Sequence, residues 1–157
     1  MTSTPRVWTQ KWESIQNQLI SPCLATDLES FISVAGGLPP VGETHRFSAL
    51  WDTGATHSVI GRNIVNTLHL KQEGFIPIVH ANGEDIAPVY HIALLLPNDT
   101  GWPMTNIAQT ELTGFDILIG MDIINKGDFA ISNRNGKTMF SFRYPSMTDF
   151  DFQSELE

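Results

Sequence analysis

Ala49-Leu50-Trp51-Asp52-Thr53-Gly54-Ala55-Thr56-His57-Ser58-Val59-Ile60 is the stretch on which the fold turns. An apolar extended run, Arg46–Asp52, delivers an aspartate into a tight turn, and a second apolar pair follows the chain reversal. Gly54 lets the main chain approach the carboxylate closely and turn sharply. An Asp-Thr-Gly tripeptide alone carries little information. The apolar strand before it, Ala55 after it and Ser58-Val59-Ile60 downstream make this one specific. Peptide hydrolysis without a metal or a covalent nucleophile needs a base to activate water and an acid to protonate the departing amine. Two adjacent carboxylates sharing one proton fill both roles, because like charges at short range do not both ionise easily. Asp52 is the candidate catalytic residue on that ground.

Outward from this segment the chain reads as mostly β with one or two short helices. Toward the N-terminus, Val7, Trp8, Trp12, Ile15 and Leu19 recur near helical spacing behind Thr4-Pro5, which predicts a helix ended by Pro22. Its apolar stripe fits packing against the chain's own core, or docking onto a partner. From Asp27 the texture changes to short apolar runs broken by Gly, Pro and Asn. Ser30–Ala35 is expected as a strand, joined to Arg46–Asp52 by the Gly36–Gly42 loop. Val59–Leu70 reads as a strand end running into a short helix or turn. Phe75–His80 and Ile86–Leu96 flank Ala81-Asn82-Gly83-Glu84, whose Asn-Gly is a strong hairpin signal. Pro88 argues against a central strand at that point. Beyond a moderate strand lie the buried-type run Phe115–Gly120 and a short helix at Met121–Asn125. A last hairpin, Phe129–Asn133 and Thr138–Tyr144, turns at Arg134-Asn135-Gly136. Phe140, Phe142 and Tyr144 share one face of its second strand, suited to a subunit interface or to this chain's own core.

These residues resemble the retropepsin family, the retroviral-type aspartic proteases. The family's Asp-Thr-Gly-Ala motif stands at Asp52, Thr53, Gly54 and Ala55, and its second mark, two apolar residues and a glycine, at Leu118-Ile119-Gly120. The Asn82-Gly83 hairpin falls where the family carries its flap, with Ala81, Asn82 and Gly83 as the substrate-facing tip. The resemblance spans about residues 44–131 and implies a retropepsin-like half-barrel with a flap hairpin over residues 27–145. Residues 1–26 are then an N-terminal helical extension, and 146–157 an acidic tail. It further implies that the Thr53 hydroxyl bonds across to a second subunit and locks two Asp52 side chains together. Retroviral members pair an aspartate two residues beyond the motif's alanine with an arginine just after the second glycine. Here those slots hold His57 and Met121, a pattern closer to cellular and transposon-derived members. Losing both partners together leaves no lone charge stranded. Ala55 cannot donate to the carboxylate as a hydroxyl residue would, so a mildly acidic to near-neutral pH optimum is expected.

A second Asp-Thr-Gly stands at Asp99-Thr100-Gly101, between Pro97 and Pro103, and reads as a surface turn. Too little chain follows it for a second lobe, so one chain supplies one aspartate and a homodimer is implied, with an interface repeated about a two-fold axis. The 157-residue length suits one ordinary domain, and a 41% apolar share with 17% charged residues is globular. The net charge of −8 and pI of about 4.9 argue against nucleic acid as a partner. Cys23 is the single cysteine, which excludes an internal disulfide framework and a multi-cysteine zinc site. His45, His57, His69, His80 and His91 lack the spacing of a helical zinc motif, so no metal or cofactor is expected. Asp122 reads as a helix cap. The opening residues lack a signal-like order and no run approaches a membrane span, which gives the cytoplasm as the expected location. The reading is an aspartic endopeptidase acting on protein or peptide. The alternatives are a catalytically weak dimerising interaction module on the same fold, and a β-barrel binding protein with a chance Asp-Thr-Gly.

Overall fold

The computed structural model describes residues 4–33, 44–80 and 82–156. The described residues are mostly β, with 48% in strands and three short α-helices, and the fold is retropepsin-like. Strands β2 (Ile20–Asp27), β3 (His45–Trp51), β8 (Ile117–Ile119), β4 (Val59–Gly61), β7 (Gly101–Thr110) and β6 (Gly83–Leu95) pair in that spatial order. An additional β2–β6 pairing, Leu24↔Leu95 to Asp27↔Ile92, closes the six into a ring. β5 (Gly74–His80) attaches outside it, along the first half of β6.

Alternation explains the closure. In β3, Phe47, Ala49 and Trp51 point inward and are buried; Ile92 and Leu94 do so from β6. The inward set forms one core cluster with Ile60, Ile107, Ile117, Ile119, Phe140 and Phe142. Phe140 and Phe142 close this chain's own core against Trp51, at ring separations of 5.1 and 5.0 Å. Tyr144 instead stacks edge-on against Trp102 at 5.0 Å.

The β5–β6 hairpin forms as its Asn-Gly signal predicts, with His80 paired to Gly83 across the turn. Gly83 has φ of 124°, a region glycine enters without a steric penalty. β6 pairs with β5 through Val89 and with β7 from Val89 onward. Pro88 therefore sits in the two-stranded, projecting half, where no second neighbour needs its missing N–H.

Two expectations are corrected. Residues 6–11 form strand β1 (Arg6–Lys11) rather than a helix, and pair with β10 (Met139–Tyr144) from Arg6↔Tyr144 to Lys11↔Met139. The segment alternates: Trp8 and Gln10 are half-buried, while Val7, Thr9 and Lys11 are exposed. Period two with Val, Trp and Thr outweighs the sparse helical spacing. β10 joins β9 (Asp128–Ser132), giving a three-stranded sheet β1-β10-β9. Trp8, Trp12 and Leu19 do pack against the chain's own core. Second, Leu28–Ser33 is helix α1, where a strand from Ser30 was expected. Asp27 Oδ1 accepts the Ser30 N–H at 2.8 Å and Oδ2 the Ser30 hydroxyl at 2.5 Å, a helix-start clasp that overrides the β-branched composition. Residues 34 and 35 of that expected strand, and the 36–42 loop, lie outside the described residues. α2 (Arg62–Thr67) and α3 (Met121–Ile124) stand where short helices were expected.

Candidate active site

β3 and β8 run parallel, with Leu50 opposite Leu118 and Trp51 opposite Ile119. β4 returns antiparallel to β8, pairing Val59 with Leu118. The two sequence motifs are thereby brought side by side, and Asp52 leaves β3 where Gly120 leaves β8. The Asp52 N–H donates to the Ile119 carbonyl at 2.9 Å, fixing the aspartate to the second motif. Ala55 N–H closes the turn onto the Asp52 carbonyl at 3.2 Å. The Gly54 N–H donates to Asp52 Oδ1 at 2.8 Å, and a Cβ on Gly54 would lie 3.1 Å from that oxygen. The half-buried carboxylate is so aimed by the backbone, while Thr53 and Gly54 face solvent.

Beneath this turn the two loops are bolted together. Met121 N–H donates to the Ala55 carbonyl at 2.8 Å and Asp122 N–H to the Thr56 carbonyl at 3.2 Å. Gly120 makes the approach possible: a Cβ there would meet the His57 carbonyl carbon at 2.7 Å and the Ala55 oxygen at 2.8 Å. Ser58, only 3% exposed, is the central fastener. Its hydroxyl donates to Asp122 Oδ1 at 2.7 Å and accepts the Gly120 N–H at 3.0 Å, while its own N–H reaches Asp122 Oδ2 at 2.9 Å. Asp122 thus holds the Asp52 loop, and its Oδ1 also accepts the Ile123 N–H at 3.0 Å in the first turn of α3, although the N-cap position itself is Gly120. The Ser58–Asp122 clasp was not visible in the sequence because 64 positions separate the pair. It lies where the missing aspartate–arginine pairing was sought.

A second fastener holds the outer side. Asp116 Oδ2 accepts the Ser48 N–H and hydroxyl, each at 2.9 Å, and Oδ1 accepts Asn63 Nδ2 at 2.8 Å. Partial burial works to raise the Asp116 pKa, but these three donors outweigh it and hold the carboxyl below its ordinary value.

A cleft of about 480 Å³ opens beside Asp52 and Thr53. The consecutive residues Gln16, Asn17, Gln18 and Leu19 line it together with Leu50, Trp51, Phe129, Ile131 and Asn133. Among the described residues, Asn82 and Gly83 of the hairpin do not line that cleft. Asn82 and Gly83 stand at the end of β5–β6, and Ala81 lies outside the described residues. Closer to the core, Ile76, Ile78, Ala87 and Val89 of the hairpin pack with Val59 and Ala108 in a separate apolar cluster. His57 is exposed in the Asp52 loop, and His91 Nδ1 accepts the Asn106 N–H at 3.1 Å. Among the described residues, no group of three or more His, Cys, Asp or Glu stands together as a metal site, and no helix is long and apolar enough to cross a membrane. Asp99 is exposed in the β6–β7 turn with φ of 59°, outside the cleft, as a surface turn requires.

No curated protein sequence matches the chain. Its structure is similar to the crystal structure of a retropepsin-like aspartic protease from Rickettsia conorii, at 13% identity and a TM-score of 0.47, over 90% of this chain and 96% of that one. The family model described as gag-polyprotein putative aspartyl protease matches residues 42–126, more than half of the chain and inclusive of both motifs and the β5–β6 hairpin. The chain belongs to that retropepsin-like family of aspartyl proteases.

Proposed function

We propose that this protein is an aspartic endopeptidase whose active site is completed by a homodimer, with water activated between two Asp52 carboxylates. The observation that carries the reading is the Asp52 loop itself. A half-buried carboxylate is aimed by the Gly54 N–H and locked to the second motif through Ile119, Gly120 and the Ser58–Asp122 clasp. Such rigid support is what a catalytic carboxylate needs to hold productive geometry. One chain supplies one such loop, because Asp99 of the second Asp-Thr-Gly is exposed in the β6–β7 turn and does not line the cleft beside Asp52. In this reading a two-fold partner brings the second carboxylate, and the Thr53 hydroxyl, on an exposed residue, bonds across the axis.

In this reading one Asp52 accepts a proton from water while the other, protonated, donates to the departing amine. The β5–β6 hairpin acts as the flap, with Ala81, Asn82 and Gly83 at its tip, holding an extended peptide by strand-like pairing and excluding water. The Ile76, Ile78, Val59 and Ala108 cluster at the flap base favours apolar side chains near the cleaved bond. No cofactor enters the mechanism.

The test is cleavage of a random peptide pool by the wild type and Asp52→Asn. Wild-type cleavage that disappears in Asp52→Asn and peaks between mildly acidic and neutral pH supports the reading. Equal cleavage by both removes Asp52 from catalysis. Absence of cleavage by a folded dimer favours the interaction module.

A further inference from the structure

Resting on that reading, we infer that the amide wall Gln16-Asn17-Gln18 selects substrate by charge, admitting uncharged side chains to the cleft beside Asp52. Three observations carry the inference. The first is composition: Gln16, Asn17, Gln18 and Asn133 line this cleft with Leu19 and Leu50, and among the described residues Asp52 is the only charged one in the lining. Of the charged residues on the flanking segments, Glu13 and Lys137 pair with each other, and Arg134 lies in the exposed turn outside the lining. A charged substrate side chain entering here leaves water without gaining a counter-ion on the wall.

The second observation is that the wall is fixed at both ends. On one side the Trp51 N–H, one residue before Asp52, donates to the Leu19 carbonyl at 3.0 Å. On the other, the Gln16 N–H donates to the Thr138 hydroxyl at 2.9 Å, and that hydroxyl donates to Asn133 Oδ1 at 2.6 Å. Thr138 is 1% exposed, so this bridge is a buried hub. It also binds the preceding chain: its carbonyl accepts the Trp12 N–H and its N–H donates to the Ser14 carbonyl. The wall therefore holds a set position relative to Asp52.

The third observation concerns what remains available. Gln16 Nε2 is engaged with Ser14. Asn17 and Gln18 are exposed, and among the described residues neither side chain makes an internal hydrogen bond. Each amide offers a donor and an acceptor, which suits a peptide main chain or a neutral polar side chain and matches neither sign of charge. A cation entering here would meet only Asp52, pairing with the carboxylate that must share a proton.

The experiment uses the full-length protein and a position-scanned peptide library. Gln18→Lys and Gln18→Glu are compared with wild type, each also carrying Asp52→Asn for peptide binding by fluorescence anisotropy. At one substrate position, wild type should prefer neutral over charged side chains of either sign. Gln18→Lys should shift the acidic-to-basic ratio of kcat/KM by about tenfold toward acidic side chains, and Gln18→Glu by a similar factor the other way. Binding to the Asp52→Asn forms should show the same reciprocal order, which a purely structural role would not produce. Identical profiles in all three proteins overturn the wall's role and leave Asp52 catalysis standing. Absence of cleavage by wild type, with indiscriminate binding, overturns both.

Discussion

Replacing Ser58 with alanine removes one oxygen, yet that oxygen is the hinge pin between the two motifs. Its hydrogen bond to a carboxylate oxygen of Asp122 at 2.7 Å is of a class that contributes about 1.5–3 kcal/mol. The same oxygen is the acceptor for the buried Gly120 N–H at 3.0 Å, and leaving such a donor unpaired costs about 1–3 kcal/mol. The Ser58 N–H still reaches Asp122 Oδ2, so part of the clasp survives. These contributions overlap, and a net loss of about 3 kcal/mol is expected. Urea unfolding followed by tryptophan fluorescence reads this directly, since Trp51 is buried in the same core. With a slope of about 1–3 kcal/mol per molar, the midpoint should fall by about 1–3 M. Asp122→Ala should be similarly damaging, and the double variant little worse than either single one, a coupling above about 1 kcal/mol. A Ser58→Ala loss below about 1 kcal/mol, or strict additivity with Asp122→Ala, would refute the clasp.

Gly120→Ala should destabilise by about 1–3 kcal/mol or more, because its Cβ meets only backbone atoms of Ala55 and His57, which cannot rotate away. Peptide cleavage should fall further than stability alone explains, and normal activity would show that the Asp52 loop tolerates displacement. Asp128, 7% exposed, accepts hydrogen bonds from Arg143 Nε, Ser146 Oγ and the Met147 N–H at 2.7, 2.5 and 2.9 Å. Burial works to raise its pKa, but these donors and the guanidinium charge outweigh it and depress the folded value. A depressed carboxyl stabilises above its unfolded pKa and loses that contribution as pH falls through the folded one. The wild type should therefore lose stability below about pH 4. Asp128→Asn should cost about 3 kcal/mol at pH 7 and flatten the acid limb, a thermal-unfolding series over pH being the check. The residual slope belongs to Asp27 and Asp116, whose hydrogen bonds also hold them low. Burial pushes the Cys23 thiol up to about 12, so a disulfide reagent at pH 8 should label it only after denaturation.

Much of the candidate site was legible because its signals are local. An apolar strand, an aspartate and a glycine turn are neighbours in sequence, and the Asn82-Gly83 hairpin announces itself through backbone preference. The chain's other determinants are not local. Arg6–Lys11 became a strand because β10 offered it a partner 132 positions away, as the Thr9–Ser141 hydroxyl contact at 2.7 Å illustrates. Helical spacing of three tryptophan and leucine positions cannot report such a partner. The α1 helix had a readable sign, Asp27 three residues before Ser30, but β-branched and aromatic neighbours masked it. Ser58, Asp116 and Asp122 acquire their roles only once the two loops are folded together. The same holds for Gln16–Gln18, which lie outside the family's matched region and reach the cleft through the buried Thr138 bridge.

The most direct measurement mixes subunits. Wild type and Asp52→Asn are unfolded together in varied proportions, refolded, and assayed for peptide cleavage. If both carboxylates are needed in each site, activity follows the square of the wild-type fraction, so an equal mixture retains about a quarter of full activity. Retention of about three quarters means that one Asp52 suffices in the shared site, and a linear dependence with about half retained means that each subunit acts alone; either result contradicts the shared-proton pair.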